Sequence, residues 1–275
     1  MMTQAKRSLT SLARKAAAVL GCGLMLSGCG GGGGGGGDMV SIAGLEVYGD
    51  QPHPRQFQIH GIDVSKYQGD IDWRTVADSN VQFAWIKATE GGDHVDSKFF
   101  QNWQAAKAAG LPRGAYHFVY WCRTPQQEMA WFEANVPVEP DALPPVLDVE
   151  ATPESRTCKR HLEPGQAQAE MRVMLQEMER HFGKRPMIYT TVDFYQAILA
   201  DGALSDYPIW VRSTKYHPSV KYNRPWHFWQ YQSDGSVPGI RGKVDRNAFY
   251  GSPKDWKAFM AGDIPPAVNV QQAQR

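Results

Sequence analysis

The sequence predicts an α/β fold, a single irregular (β/α) barrel of TIM-like type, on two observations. From about Ile59 onward, short apolar segments alternate with helix-like segments over roughly 200 residues, and such alternation favours a barrel of parallel strands. Several apolar segments are almost uninterrupted, which is typical of strands that are covered on both faces. A doubly wound open sheet is the alternative fold.

The strands of the barrel are predicted at short apolar segments. In chain order they are Ile59–Val64, Phe83–Ala88, Gly114–Val119, Val146–Val149, Met187–Tyr189, Ile209–Val211, Phe228–Tyr231 and Val244–Asn247. The later strands lie close together along the chain and leave little room for full helices between them. The barrel is therefore predicted to be irregular.

Three helices are predicted between the strands. Ser97–Ala109 has apolar residues at helical spacing and stops at Gly110. Pro125–Asn135 is the second helix, and Pro164–Phe182 is the third. The third has a proline at its start and a glycine just past its end, which are the residues that favour these two positions.

Residues 1–28 are predicted to be a lipoprotein signal peptide. A basic start is followed by an apolar run from Ala16 to Leu26, which is too short to span a bilayer. The run ends in Leu26-Ser-Gly-Cys29, which resembles the lipobox of bacterial lipoproteins and implies a lipid on Cys29. We expect attachment to the membrane through this lipid, at the outer membrane where the host has one, facing the periplasm or the exterior. An ordinary secretory signal is the alternative.

The rest of the chain divides into three parts. Residues 29–56 are predicted to be the lipidated cysteine, a polyglycine tether and a spacer. The barrel domain is expected to span residues 57–262, and residues 263–275 are expected to form a flexible tail.

Composition excludes some classes of partner. The formal net charge of +1 argues against nucleic acid, which requires a basic surplus. The eight histidines do not show the spacing of a metal motif, so no metal and no other cofactor is predicted. We expect a monomer.

Two cysteines, Cys122 and Cys158, remain in the predicted domain. Export places them in a compartment where disulfides persist. They follow two predicted strands, ending at Val119 and Val149, which are neighbours in a barrel. A disulfide between them is therefore predicted.

The most informative feature is the acidic residues at the strand ends. Asp63, Asp148 with Glu150, and Asp245 lie at or near the ends of three predicted strands, and Glu90 follows a fourth. An acid at the end of a buried strand is costly unless it is paired, hydrated or functional. In a parallel barrel these ends meet on one face, where active sites are built.

Two of these acids have the spacing of a catalytic pair. Asp148 and Glu150 are two residues apart on one strand and point to the same side. Crowded carboxylates raise the pKa of one another, which keeps one of them protonated as a general acid. Taken singly, each acid also fits a loop cap or a surface charge, and the cluster also fits a calcium site.

Several segments resemble glycoside hydrolase family 25, the Chalaropsis-type lysozymes. The match runs in order from about His60 to Phe249 and covers nearly the whole domain. The segments are Gly61-Ile-Asp-Val-Ser-Lys-Tyr-Gln-Gly69, Ile71-Asp-Trp73, Trp85-Ile-Lys-Ala-Thr-Glu-Gly91, Ala109-Gly-Leu-Pro-Arg-Gly-Ala-Tyr-His-Phe118, Pro145-Val-Leu-Asp-Val-Glu150, Trp229-Gln-Tyr231, Val237-Pro-Gly-Ile240 and Val244-Asp-Arg-Asn247.

The resemblance implies a muramidase that hydrolyses the β-1,4 bond between N-acetylmuramic acid and N-acetylglucosamine, with the peptidoglycan glycan strand as its partner. Glu150 matches the proton donor and Asp148 its partner, while Asp63 and Asp245 match the other two acids of the cleft. Glu90 matches a recurrent family position and is expected to belong to the substrate site by orienting its neighbours. Aromatic residues of the substrate site are expected at strand ends, with plain barrel packing as the alternative: Tyr116, Tyr189, Trp210 and Trp229.

Two segments depart from the family pattern. After Trp210 the family commonly continues with small residues towards a tyrosine, whereas this chain has Arg212-Ser-Thr-Lys-Tyr216. The loop after Glu150 is longer and more basic. Arg212 and the loop residues Arg156, Lys159 and Arg160 are expected to be solvated charges, with contact to substrate carboxylates as the alternative.

Three functional hypotheses follow: an anchored muramidase, an inactive peptidoglycan-binding lipoprotein with the same barrel, and a glycosidase that acts on another polysaccharide. The intact set of acids disfavours the second. For the first, two carboxyls on one strand favour a mechanism in which the 2-acetamido group of the substrate is the nucleophile, with net retention.

Overall fold

The structure is a computed structural model that describes residues 40–42, 45–47, 52–152 and 155–267. The predicted signal peptide, Cys29 and the predicted polyglycine tether lie outside the described residues, as does the end of the predicted tail. Strands β1 (Val40–Ile42) and β2 (Leu45–Val47) pair with each other in antiparallel orientation.

Eight of the remaining described strands close a barrel. The strands are β3 (Ile59–Val64), β4 (Phe83–Glu90), β5 (His94–Val95), β6 (Arg113–Phe118), β7 (Val146–Val149), β8 (Met187–Thr190), β9 (Ile209–Arg212), β10 (Phe228–Gly235) and β11 (Val244–Phe249). Strand β5 pairs only with the end of β4, and the other eight form a ring in chain order that is closed by pairing of β11 with β3. The predicted barrel is confirmed.

The predicted irregularity is largest at the last strand. Strand β11 runs antiparallel to both of its neighbours, β10 and β3, whereas the other pairs in the ring are parallel. Asp245 is the second residue of β11. Asp245 therefore lies beside the carboxyl ends of the parallel strands although it is near the start of β11. The prediction that it lies near the end of its strand is wrong.

Helices lie between the strands and after the last one. They are α1 (Trp73–Ala77), α2 (Phe99–Ala108), α3 (Pro125–Asn135), α4 (Pro164–Phe182), α5 (Val192–Phe194), which continues into a π-helical turn (Tyr195–Leu199), and α6 (Pro253–Ala261). Helix α4 ends at Gly183, which has a φ of 65°, a conformation that glycine adopts without strain. In the part of the chain that the structure describes, no helix is both long and apolar enough to cross a membrane.

The inside of the barrel changes from apolar to polar along each strand. Alternate residues of a strand face the same side, so Phe83, Trp85 and Lys87 of β4 lie one above the other. Phe83 and Trp85 are buried, while Lys87 lines a cleft. We call the apolar end, over which α6 packs, the closed end, and we call the opposite end the mouth.

Aromatic side chains fill the closed end. Phe228 contacts Phe83 across the barrel and Phe249 on the adjacent strand, with ring centroids 5.3 and 5.1 Å away. It also contacts Phe259 of α6 at 5.0 Å. The barrel walls have glycines where these rings need space. A Cβ atom at Gly61 would lie 2.3 Å from the ring of Phe83, and one at Gly114 would lie 2.0 Å from that of Trp85. Glycine at these two positions therefore lets the interior pack.

Candidate active site

A cleft of about 340 Å³ opens at the mouth of the barrel. Its lining combines carboxylates, tyrosines and two cations, and consists of Asp63, Val64, Ser65, Tyr67, Gln68, Lys87, Tyr116, Phe118, Asp148, Glu150, Tyr189, Trp210, Arg212, Gln230 and Asp245. The four predicted catalytic acids therefore meet in one cleft. Three of the predicted aromatic residues, Tyr116, Tyr189 and Trp210, also line it.

Asp63 is held by two amides at the floor of the cleft. The side chains of Gln230 and Asn247 donate hydrogen bonds to Oδ2 of Asp63 at 2.9 and 2.7 Å. Tyr189 donates its hydroxyl proton to Gln230 at 2.9 Å, and the indole of Trp210 donates to Asn247 at 2.9 Å. This network fixes the orientation of Asp63 together with that of two aromatic walls of the cleft.

Asp148 and Glu150 form a close pair at the end of β7. Asp148 is buried, and among the described residues its Oδ1 has no hydrogen-bond partner. Burial raises the pKa of Asp148 well above its usual range, and the Glu150 carboxyl raises it further. Burial also raises the pKa of Glu150, against the opposing effect of Arg212. The pair thus retains a proton at a pH where an isolated carboxyl has lost its own.

Asp245 lies directly across the strand pair from Asp63. Burial raises the pKa of Asp245 to about 8, and the Asp63 carboxyl adds to the rise. Burial raises the pKa of Asp63 to about 6, although hydrogen bonds from Asn247 and Gln230 lower it. Arg212 lowers the pKa of both acids. The two carboxyls therefore titrate near neutral pH as a coupled pair.

The cleft has the chemistry of acid catalysis. Among the described residues, no group of three or more His, Cys, Asp or Glu side chains could hold a metal ion. A protonated carboxyl beside an ionised one can protonate a leaving oxygen while its neighbour stabilises positive charge. The sequence profile of the family described as Glycosyl hydrolases family 25 matches residues 62–240, a range that contains Asp63, Asp148 and Glu150.

The chain belongs to this family.

Individual proteins support the assignment of this family 25 glycosyl hydrolase. The chain is 37% identical to the uncharacterized protein YegX of Escherichia coli (strain K12) over 214 residues, which are 76% of each chain. It is 35% identical to Lysozyme M1 of Streptomyces globisporus over 206 residues, which are 70% of this chain and 68% of the other.

A solved structure agrees with the fold and the family. The family 25 glycosyl hydrolase from Bacillus anthracis has a TM-score of 0.70 and 36% sequence identity to this chain. The match covers 75% of this chain and 95% of the other.

Two residues predicted for the substrate site of this glycosyl hydrolase do not line its cleft. Trp229 is fully buried in the layer outside the barrel, and its indole donates a hydrogen bond to the carbonyl of Ser213 at 2.8 Å. The prediction that Trp229 contacts substrate is wrong because β10 directs Gln230, not Trp229, inward. Glu90 forms an ion pair of 2.8 Å with Lys87 and so acts on the cleft through that lysine.

Four polar residues that bear on the cleft were missed or undervalued by sequence reasoning: Lys87, Arg212, Gln230 and Asn247. Lys87, Gln230 and Asn247 belong to segments that carry the family resemblance. Each of the four residues is two positions from another residue of its strand that faces the inside of the barrel. Arg212 follows Trp210 by two residues, so strand alternation places it in the mouth. The interpretation of Arg212 as a solvated loop charge is therefore wrong.

The predicted disulfide is confirmed. Cys122 and Cys158 are bonded, with Cα atoms 5.6 Å apart and a sequence separation of 36 residues. The bond links the loop after β6 to the loop after β7, on the side of the mouth. The indole of Trp121, next to Cys122, donates a hydrogen bond to the carbonyl of Glu150 at 3.0 Å. The linked loops thus help to hold the end of β7 in place.

The basic residues of the loop after β7 have different surroundings. Arg156 and Lys159 are exposed, as expected of solvated charges. Arg160 instead forms a bidentate ion pair with Glu170 of α4, with distances of 2.9 and 2.6 Å. Arg160 therefore fastens the loop to the helix.

Proposed function

We propose that the protein is a lysozyme that hydrolyses the β-1,4 bond between N-acetylmuramic acid and N-acetylglucosamine in peptidoglycan. The observation that carries the proposal is the buried Asp148 and Glu150 pair in the cleft of a family 25 barrel. Relatives named Lysozyme M1 and N,O-diacetylmuramidase support the substrate. The complete set of acids disfavours an inactive peptidoglycan-binding protein.

Glu150 is the general acid in this proposal. It is less buried than Asp148, so it is the member of the pair that reaches the leaving oxygen. Its proton passes to the glycosidic oxygen as the bond from that oxygen to the anomeric carbon breaks. The resulting carboxylate then accepts a proton from the water that attacks in the second step.

Asp148 orients the nucleophile, which is the 2-acetamido group of the muramic acid residue. The unpartnered Oδ1 of Asp148 accepts the acetamido N–H, and the acetamido carbonyl oxygen attacks the anomeric carbon. The hydroxyl proton of Tyr189 is committed to Gln230, so Tyr189 does not donate a hydrogen bond to the acetamido carbonyl oxygen. Two displacements at the anomeric carbon give net retention.

The test of the proposed reaction is digestion of purified cell wall, followed by analysis of the new reducing ends. Borohydride reduction of the products is expected to give the alditol of muramic acid. The alditol of glucosamine would contradict the proposed bond, and absence of any new reducing end would contradict the activity. Proton NMR of the first-formed product is expected to show the β-anomer, and an initial α-anomer would contradict substrate assistance.

We also propose that the protein is a monomer held in the cell envelope by a lipid on Cys29, at the outer membrane and facing the periplasm or the exterior. The lipobox-like Leu26-Ser-Gly-Cys29 supports the lipid. Replacement Cys29→Ser is expected to move the protein out of the membrane fraction or to leave the precursor uncut. An unmodified Cys29 in the mature protein, measured by mass spectrometry, would contradict the lipid.

A further inference from the structure

Arg212 is the cation of the cleft that lacks a carboxylate within ion-pair distance. The other cation that lines the cleft, Lys87, is paired with Glu90 at 2.8 Å and lies over the ring of Phe118. Among the described residues, the guanidinium of Arg212 makes neither a hydrogen bond nor an ion pair. It is nevertheless near enough to lower the pKa of Asp63, Glu150 and Asp245.

Exposed arginines of the described residues also lack ion pairs, but the arginines that are buried as deeply as Arg212 or more deeply have partners. Arg113 binds Glu139 and Asp141, Arg160 binds Glu170, and Arg185 binds Glu179 and Asp206. The donors of Arg212 are not satisfied in this way, although the side chain lies in a cleft and is only partly exposed. Five N–H donors in a planar fork fit a carboxylate better than they fit water.

The backbone that carries Arg212 is fixed by two buried aromatic side chains. The hydroxyl of Tyr222 donates a hydrogen bond to the carbonyl of Arg212 at 2.7 Å. The indole of Trp229 donates to the carbonyl of Ser213 at 2.8 Å, and the backbone amide of Ser213 donates to the backbone carbonyl of Gln230 at 3.0 Å. The arginine is therefore presented to the cleft by a rigid support, which is what a specific binding group requires.

We propose that Arg212 is a specificity-determining residue that binds a carboxylate on the muramic acid residue in the cleft. The inference rests on the proposed function. Muramic acid has its lactyl ether on C3, next to the C2 acetamido group that Asp148 orients. The lactyl carboxyl belongs to the sugar that occupies the cleft, whereas the acids of a stem peptide lie farther from that sugar, so the lactyl group is the carboxylate that we assign to Arg212.

Whether the lactyl carboxyl is free or amidated then decides how tightly the protein binds a glycan strand. In a peptide-bearing strand the lactyl carboxyl is an amide without charge, whereas in a peptide-free strand it is a free carboxylate. Arg212 pairs with the second form in a charge-assisted, bidentate manner. The preferred substrate is thus the product of a reaction that hydrolyses the amide between the lactyl group and the stem peptide.

The test compares peptide-free glycan strands with the same strands after methyl esterification of their lactyl carboxylates. The protein is expected to favour the free carboxylate by about 10–100-fold in kcat/KM, the effect of a hydrogen-bonded charge pair. Arg212→Gln is expected to abolish this preference through KM, and Arg212→Lys is expected to keep part of it. Lys215→Gln, an exposed cation three residues away, is the matched control and is expected to keep the whole preference.

The proposal would be overturned if the unmodified protein shows no preference for the free carboxylate, or if the preference survives in Arg212→Gln. It would also be overturned if Arg212→Gln lowers kcat/KM equally for both glycan strands, because Arg212 would then act only on the acids of the cleft. A third substrate, the peptide-bearing strand, separates the two carboxylate sources: a preference for it that depends on Arg212 would assign the arginine to stem-peptide carboxylates and would overturn the assignment to the lactyl group.

A binding measurement keeps this test separate from the proposed reaction. Calorimetry is expected to give tighter binding of N-acetylmuramic acid than of its methyl ester, with the difference lost in Arg212→Gln. That difference does not depend on turnover. If it is present while cell wall is not cleaved, the proposed reaction fails and the carboxylate site stands. If it is absent while cell wall is cleaved, the carboxylate site fails alone.

Discussion

The closed end and the mouth of the barrel are built by the same strands but have opposite character. At the closed end Phe83, Phe228 and Phe249 pack with α6, and these rings are fully buried. At the mouth the same strands or their neighbours present Asp63 and Asp148, whose pKa values burial raises. A shift of two or four residues along a strand therefore separates a stabilising position from a catalytic one.

The contrast between the two ends shows which part of the barrel stabilises the fold. Apolar area removed from water favours folding at the closed end, whereas each ionised acid at the mouth is held in an environment that disfavours its charge. Changes to the acids at the mouth should therefore affect activity more than stability, and changes at the closed end should do the reverse. Four variants break or sharpen this comparison.

The largest effect is expected at the mouth, from Glu150→Gln. The amide keeps the shape of the side chain but has no proton to donate, so lytic activity is expected to fall by about 10²–10⁴-fold. The rate of release of reducing ends measures the loss, and circular dichroism checks that the variant is folded. Glu177→Gln, on the surface of α4, is the control that should keep full activity. Near-native activity of Glu150→Gln would contradict its role.

The second effect is expected at the closed end, from Phe228→Ala. This ring touches Phe83, Phe249 and Phe259, so its removal is expected to cost about 3–5 kcal/mol of unfolding free energy. Denaturant titration measures the loss, and kcat of the folded variant is expected to stay near that of the parent. Phe100→Ala is the control, because Phe100 is 51% exposed. A large change in kcat for Phe228→Ala would show that the two ends are coupled.

A smaller effect is expected from loss of the disulfide on the side of the mouth. The double replacement of Cys122 and Cys158 by serine releases a loop of 36 residues by sequence separation, which costs at most about 4 kcal/mol in the chain-entropy account. Because Trp121 contacts the carbonyl of Glu150, a loss of activity of a few fold is expected as well. Thermal unfolding and reducing-end assays measure the two effects. Unchanged thermal stability would mean that the bond does not constrain the unfolded chain.

The smallest effect concerns pH. The pKa of Asp245 is about 8 in the folded protein against an ordinary value of 3.8, so between these values the folded state binds more protons than the unfolded state. Unfolding free energy is therefore expected to fall as pH rises from 4 to 8. Asp245→Asn removes this contribution and should be more stable than the parent at pH 8, by on the order of 1 kcal/mol, and little different at pH 4.

Calorimetric melting temperatures at the two pH values test the effect of Asp245→Asn. Asp255→Asn is a poor control because it breaks the cap of α6, so Asp263→Asn, in the exposed segment after that helix, is the better one. A parent protein that is equally stable at pH 4 and pH 8 would contradict the raised pKa values at the mouth.

Sequence reasoning located most of the barrel because its strands and long helices have clear boundaries. Strand β7 and helices α3 and α4 have the predicted bounds. The short helices α1 and α6 were missed, because α1 has five residues and α6 has nine, too few for a periodic pattern. That α6 covers the closed end depends on contacts with Phe83 and Phe228, which lie far away in the chain.

The four acids of the cleft were predicted because a carboxylate at the end of an apolar strand is costly unless it is paired, hydrated or functional, and the family resemblance supplied the roles proposed for them. The amides that hold Asp63 were missed. Gln230 and Asn247 are uncharged, so their place in a strand does not carry the cost of burying a charge that draws attention to an acid. The wrong prediction for Trp229 arose from treating strand-end aromatics alike. Strict alternation from Phe228, an inward residue, would have directed Trp229 outward and Gln230 inward.

The antiparallel direction of β11 also decides at which end of the barrel the chain enters and leaves the domain. In a barrel whose strands are all parallel, the chain enters the first strand at one end of the barrel and leaves the last strand at the other end. Here β11 runs antiparallel to β3, so the chain enters the barrel at Ile59 and leaves it after Phe249 at the same end. This is the closed end, opposite the cleft. The segments that precede Ile59 and follow Phe249 therefore both join the barrel at the end away from the cleft, so neither has to cross the mouth where substrate would enter.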